Sequence, residues 1–424
     1  MNKFLIRGIH ARHLVDCRTR GLLEVDVITE GGAVGRASAP TGTSVGEGEA
    51  FVMRDGARSR FCGTSVYRAV EIVNDVIGPK MIGRDVRKQE ELDQFLLELD
   101  GTSRKEKLGG NAIYSVSAAC LDAAAKGNGV SVHNALSEGK IRQLPVPIIN
   151  MFNGGKYGDV TMEFQEFGIV PAGAEDMQEA VDIGVTVFDR IRRIIPEKNQ
   201  GRPAAIANYF GHAPVSDDPG VLFEIIAEAA EACGCQDKIC YYTDCAASEF
   251  YDKERGTYQF MGRETERQAL LEFIKELTGK LPFIGVEDIL EEHDFDGFAA
   301  AAAMMPDVRV IGDDLICTNI SNLRLAMEKN AVRGMVLKPN QVGTITEALE
   351  ARKYAEENGL WVIPSVRAGG TVDDIVKEIA VGIQAPLVKC GAPRSGERIS
   401  FLNTLLRAAD EYPGARLAPI WRKS

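Results

Sequence analysis

Five stretches of the chain, KICYYTD (238–244), FIGVED (283–288), VRVIGDD (308–314), GMVLK (334–338) and APLVK (385–389), run through a few β-forming residues and stop on an acid or a lysine. Helical stretches such as DPGVLFEIIAEAAEAC (218–233), ERQALLEFIKELTG (266–279) and TITEALEARKYAEENG (344–359) precede or separate them. With LPVPIINMFNGG (144–155), EFQEFGIVP (163–171) and LWVIPSV (360–366), they repeat a strand–helix unit across residues 140–424. That repetition predicts an α/β fold, a parallel-dominated (β/α)8-like barrel. A doubly wound open sheet is the competitor, but no G-x-G-x-x-G turn follows an early strand.

Residues 1–139 have another pattern. LLEVDVIT (22–29) alternates Leu23, Val25 and Val27 with Glu24 and Asp26, as a half-buried strand does. AVEIVNDVIGPKMIG (69–83), KQEELDQFLLELDG (88–101) and NAIYSVSAACLDAAAKGNG (111–129) carry apolar residues at helical spacing, each with a glycine stop. An antiparallel sheet followed by helices makes an N-terminal α+β domain.

Composition bounds the function. Over 424 residues, 45% are hydrophobic and 26% charged, which excludes wholesale disorder. A net charge of -12 argues against a surface that grips nucleic acid. No apolar run approaches the ~20 residues that span a bilayer. MNKFLIRGIHARH at the start has no signal-peptide pattern, and nine scattered cysteines predict reduced thiols in a cytoplasmic protein. Cys233, Cys235 and Cys240 cluster as C-x-C-x4-C but lack a fourth zinc ligand.

Strand ends direct Asp244, Glu287, Asp313, Lys338 and Lys389 into the barrel mouth. Three carboxylates gathered there repel one another unless a divalent cation binds them, and oxygen-only ligation suits Mg2+. Lysines beside a metal are expected to have a lowered pKa and to offer a neutral amine as base. A metal-held carboxylate with a lysine base is a constellation for removing a proton α to a carboxylate.

At this point the chain resembles the enolase family along nearly its whole length. The matching segments, in order, are ARHLVDCRTRGLLEVDV (11–27), TGTSVGEGEA (41–50), LELDGTSRKEKLGGNAI (97–113), LPVPIINMFNGG, FQEFGIVP, TDCAASEF (243–250), GVEDILEE (285–292), IGDDLICTN (311–319), LKPNQVGT (337–344) and KCGAPRSGER (389–398). The resemblance implies an enolase-type barrel behind an N-terminal domain, with Asp244, Glu287 and Asp313 holding magnesium and Lys338 as general base. It implies that Lys389 neutralises the substrate carboxylate, that Glu166 and Gln165 lie near the leaving hydroxyl, and that Arg367 clamps the phosphate. Ser44 falls in a closing loop that reaches a second magnesium. A small phosphorylated carboxylate as substrate and a homodimer or assembly of dimers are implied as well.

The departures lie on one side of the substrate. The segment 208–214 reads NYFGHAP, so Tyr209 stands where the family has the glutamate that donates a proton to the leaving group. Ser365-Val366-Arg367-Ala368-Gly369 lacks the family's histidine and phosphate-binding serine, and Tyr157 replaces another histidine. Tyr209 is then a substitute acid or a filler, and His212 a displaced acid or a bystander. The implied activity is a lyase interconverting 2-phosphoglycerate and phosphoenolpyruvate. The alternatives are a paralogue completing another reaction, resembling carboxyphosphonoenolpyruvate synthase, and a catalytically silent binding protein.

Overall fold

The computed structural model describes residues 2–42, 46–157 and 162–420. Gly21–Thr29 (β2) lies between Ile6–Val15 (β1) and Val34–Ser38 (β3) in an antiparallel sheet. Leu23, Val25 and Val27 are buried, as the alternation predicts. Glu24 and Asp26 on the other face are buried too, because Arg12 and Arg36 close over them, with Arg36 Nε 2.6 Å from Asp26 Oδ1. Helices Gln89–Asp100 (α1), Gly110–Gly127 (α2) and Val132–Ser137 (α3) complete this layer. α2 sits so close to β3 that a Cβ on Gly35 would lie 2.1 Å from the Ala119 carbonyl oxygen. Segment 67–81 is helical, with a π turn over Ile72–Ile77.

The second half forms an eight-stranded sheet that runs round in chain order. Its strands are Val146–Asn153 (β4), Glu166–Val170 (β5), Cys240–Asp244 (β6), Phe283–Glu287 (β7), Arg309–Gly312 (β8), Gly334–Leu337 (β9), Trp361–Pro364 (β10) and Leu387–Gly391 (β11). β11 pairs with β4, and a bridge from Ser365 to Lys389 joins the end of β10 to β11. Ile148, Tyr242, Ile311, Val336, Ile363 and Leu387 belong to one buried cluster contributed by these strands. Helices Met177–Lys198 (α4), Pro219–Ala232 (α5), Arg267–Lys280 (α6), Phe295–Met304 (α7), Ile320–Glu328 (α8), Ile345–Glu357 (α9), Val376–Gly382 (α10) and Gly396–Glu411 (α11) fill the connections.

One strand breaks the parallel rule: β5 runs antiparallel to both β4 and β6. Parallel neighbours need a crossover helix between them; among the described residues no α-helix lies between β4 and β5, while two, α4 and α5, separate β5 from β6. Glu166 therefore opens its strand instead of closing it. Register places it opposite Asp244, which in turn pairs with Glu287, so the three acids share one rim.

The turn after β1 docks on the barrel. Asp16 holds Arg20 Nε at 2.9 Å, and Thr41 and Gly369 exchange backbone hydrogen bonds of 3.1 and 2.9 Å. A Cβ on Gly369 would lie 2.1 Å from Arg20 Nη2, so a side chain there would push the two layers apart. All nine cysteines are free, and C-x-C-x4-C contributes to no cluster of metal-binding groups among the described residues. Among the described residues no helix is long and apolar enough to cross a membrane.

On α3, His133 is clamped between helices of the barrel half, Nδ1 2.7 Å from Glu378 of α10 and Nε2 3.2 Å from Glu411 of α11. Burial works against the imidazolium, but the two carboxylates outweigh it and raise the pKa above 6.5. A raised folded-state pKa contributes stability that is fully present below the unfolded value and lost as pH rises through the folded one. The melting temperature of the wild type minus that of His133→Gln is therefore expected to narrow as pH increases from about 6 to 9; a constant gap across that range would contradict the clamp.

Candidate active site

Asp244 and Glu287 are the last residues of β6 and β7, Asp313 and Lys338 follow β8 and β9 directly, and Lys389 lies within β11. The structure brings all five together with Glu166. Lys389 Nζ sits 2.6 Å from Glu287, 2.9 Å from Glu166 and 3.3 Å from Asp244. Lys338 Nζ is paired with Asp313, and Gln165 Nε2 donates to Asp244 at 3.1 Å. Tyr242 donates its hydroxyl proton to Glu287 at 2.7 Å.

Arg367, just beyond β10, is only 3% exposed. Its Nη2 lies 2.8 Å from Glu49 Oε1 in a buried pair that sequence reasoning did not find. Gln341 is a second such residue, donating to Asp313 at 3.0 Å and to Glu49 at 3.3 Å. Asp288, the acid on which FIGVED stops, accepts a backbone N–H at 2.9 Å on each carboxylate oxygen, from Asp313 and Asp314. It thereby fixes the turn that carries Asp313. Glu49 and Gln341 stand in the segments TGTSVGEGEA and LKPNQVGT, which were the available signal.

Counted as if all were ionised, five carboxylates (Glu49, Glu166, Asp244, Glu287 and Asp313) face three cations (Lys338, Lys389 and Arg367), a formal excess of two negative charges. Burial pushes Asp244 up and Glu287 well above the usual carboxylate range, with neighbouring acids adding to the rise. Burial also lifts Asp314 to about 8, with Asp313 adding to it. For Asp313, burial is outweighed by Lys338 and Lys389, which hold it below its ordinary value. A cluster that resists its own charge and offers oxygen donors is compatible with a divalent cation; among the described residues the buried acids whose oxygens lie within 4.8 Å of one another are Asp288, Asp313 and Asp314.

The lysines differ from the sequence expectation. Both have raised, not lowered, pKa values, because the attraction of the carboxylates around each exceeds the cost of burial. Each is an ammonium as long as those carboxylates face it.

The rebuilt side is closed. Val366 and Ala368 are buried, and Tyr209, 3% exposed, packs against Ala368. His212 is no acid: its Nε2 lies 2.9 Å from the Phe188 carbonyl oxygen, its ring stacks on Phe188, and burial lowers its pKa to about 4. A positive φ of 72° at Phe210 turns the chain between Tyr209 and His212, sending the two side chains to different surroundings. Ser44 and the side chain of Tyr157 lie outside the described part of the chain. His293 lies at the surface, 3.2 Å from Glu47.

Residues 6–136 match the family described as enolase, N-terminal domain, and residues 141–416 match enolase, C-terminal TIM barrel domain. The chain belongs to the enolase family. It is 37% identical to an enolase of Methanococcus aeolicus over 414 residues, covering 97% of each chain. It is 38% identical to an enolase of Methanopyrus kandleri over 413 residues, 97% of this chain and 96% of that one. An enolase of Methanocaldococcus jannaschii is 37% identical over 409 residues, 96% of each. With the family comes the reaction class, that of a carbon–oxygen lyase.

Removing one partner of a buried ion pair leaves the other uncompensated, at about 3–5 kcal/mol. Glu49→Ala is expected to lower stability by about that amount, read as a drop in urea midpoint at unchanged slope. A loss under about 1 kcal/mol, the size typical of an exposed pair, would show that Glu49 does not hold Arg367 in solution.

Proposed function

We propose that this chain catalyses the reversible loss of water from 2-phosphoglycerate, or a close phosphorylated hydroxy acid, to give phosphoenolpyruvate, with Mg2+ as cofactor. The observation that supports this is the rim where Asp244, Glu287 and Asp313 stand with Lys338 and Lys389. Asp244, Glu287 and Asp313 hold the cation in this reading, and Ser44 reaches a second. When bound, the metal supplies stabilisation of the charge that proton loss places on the substrate carboxylate, and a competing partner for Asp313.

Lys338, relieved of its ion pair, takes the α-proton at Nζ. Lys389 stays an ammonium among Glu166, Asp244 and Glu287 and balances carboxylate charge. Gln165 orients Asp244, and Arg367, whose Nη1 and Nη2 donate to Glu49 in this structure, exchanges that carboxylate for the phosphate. The closed contact of Tyr209 with Ala368 supports a second reading, in which α-proton removal is kept but the group lost from the β-carbon differs, as in carboxyphosphonoenolpyruvate synthase-like chemistry. Assembly as a homodimer or as dimers of dimers, a cytoplasmic setting and a division into domains at 139/140 complete the proposal.

The test follows exchange of the C2 proton of 2-phosphoglycerate in deuterated buffer with magnesium, while phosphoenolpyruvate is recorded by NMR in the same tube. The wild type is expected to show both signals, and Lys338→Ala to lose both by at least about 10²- to 10⁴-fold, the range of a positioned base. Full exchange in Lys338→Ala would remove Lys338 from the base role. Exchange without product in the wild type would favour the second reading.

A further inference from the structure

The side chains of Arg367 and Glu49 are 3% and 2% exposed. Nη1 of Arg367 donates to Glu49 Oε2 at 3.1 Å and Nη2 donates to Oε1 at 2.8 Å, so the carboxylate meets one edge of the guanidinium with both of its oxygens. Two oxygens set against that planar edge are also what a phosphate presents to an arginine. A buried cation requires an anion beside it whether or not substrate is bound. Here the chain supplies one of its own.

The charge around the pair argues against keeping both anions. Glu49 belongs to the five carboxylates that face Lys338, Lys389 and Arg367, and Gln341 Nε2 ties it to that rim by donating to Glu49 Oε1 at 3.3 Å and to Asp313 Oδ1 at 3.0 Å. A phosphate on Arg367 beside a retained Glu49 would add like charge to a buried site that already carries a formal excess of it.

Glu49 stands in the segment GEGEA (46–50), outside any helix or strand. The segment is held on either side of it. The Glu47 N–H donates to Glu292 at 2.8 Å and the Glu47 carboxylate meets Lys253 at 2.6 Å, while the Ala50 N–H donates to the Gln341 carbonyl oxygen at 2.7 Å. Between these anchors it is the Glu49 side chain that reaches Arg367.

We propose that Glu49 is a resident stand-in for the substrate phosphate. Its carboxylate holds Arg367 until a phosphoryl group takes its place, and it then turns away while its segment stays seated, with Gln341 Nε2 as the donor that remains to it. This rests on the assignment of Arg367 to the phosphate made above. No covalent bond changes: one anion replaces another on a guanidinium that stays charged. A dianionic phosphoryl group makes good the loss of Glu49 at Arg367 and a neutral group does not, so the exchange selects phosphorylated acids over their dephosphorylated counterparts.

The experiment titrates the full chain with inorganic phosphate in magnesium buffer, read by calorimetry, and follows C2 exchange and turnover of 2-phosphoglycerate in the same preparations. Glu49→Gln keeps the length of the side chain and removes the competing charge. It is expected to bind phosphate at least about 10-fold more tightly than the wild type, and to lower KM for 2-phosphoglycerate, as loss of a competitor does and loss of a structural contact does not. Adding Arg367→Met to Glu49→Gln is expected to abolish the gain in phosphate affinity. Glu49→Asp, one methylene short, is expected to show a smaller gain and carries the comparison if Glu49→Gln does not fold. Phosphate binding equal to or weaker than wild type in the folded variant, or a gain that survives the loss of Arg367, would overturn the stand-in role. A gain that depends on Arg367, in a protein that neither exchanges nor converts 2-phosphoglycerate, would uphold the exchange of anions and overturn the reaction instead.

Discussion

Three carboxylates buried side by side on adjacent strands are the constraint around which the rest of this molecule is arranged. Asp244, Glu287 and Asp313 cannot share a water-poor rim without compensation, and each is met by a group from a different strand or loop. Lys389 crosses to Glu287, Asp244 and Glu166, and Lys338 reaches Asp313. By formal charge that compensation is incomplete by two, and in the proposed reading the shortfall is what a divalent cation makes good. In the proposed reaction the same ammonium groups that stabilise the resting cluster are the groups that chemistry calls on.

The N-terminal layer takes part in this balance. Glu49 comes from a loop that precedes the helices, yet it neutralises Arg367 of the barrel, and Gln341 ties both to Asp313. The Asp16–Arg20 turn and the Thr41–Gly369 exchange fix where that loop enters. Displacing the N-terminal layer would leave Arg367 as a buried cation without its carboxylate, so docking of the two halves and electrostatics of the site are one problem.

How legible the site was in the sequence follows from the range of its contacts. Asp244, Glu287, Asp313, Lys338 and Lys389 could be read because each closes or follows a β-rich run, a local pattern. The direction of β5 could not, since it depends on how many helices pass between strands, so Glu166 was placed by resemblance and reached the rim from the opposite strand polarity. The contact of Glu49 with Gln341 spans 292 positions and has no local signature. The lysine pKa expectation assumed the metal's charge and left out the acids that bracket each ammonium. His212 and Tyr209, three positions apart, could not be separated until the turn at Phe210 placed one beside Phe188 and the other under Arg398.

The central claim of the proposal is that this rim, formally short of two positive charges, takes up a divalent cation to supply them. Calorimetric titration of the full chain with magnesium, beside the charge-reduced Asp244→Asn, tests it most directly. The account predicts saturable binding of an ion to the wild type, with affinity strongly weakened or lost in Asp244→Asn. No binding to the wild type, or equal binding to both proteins, would contradict it.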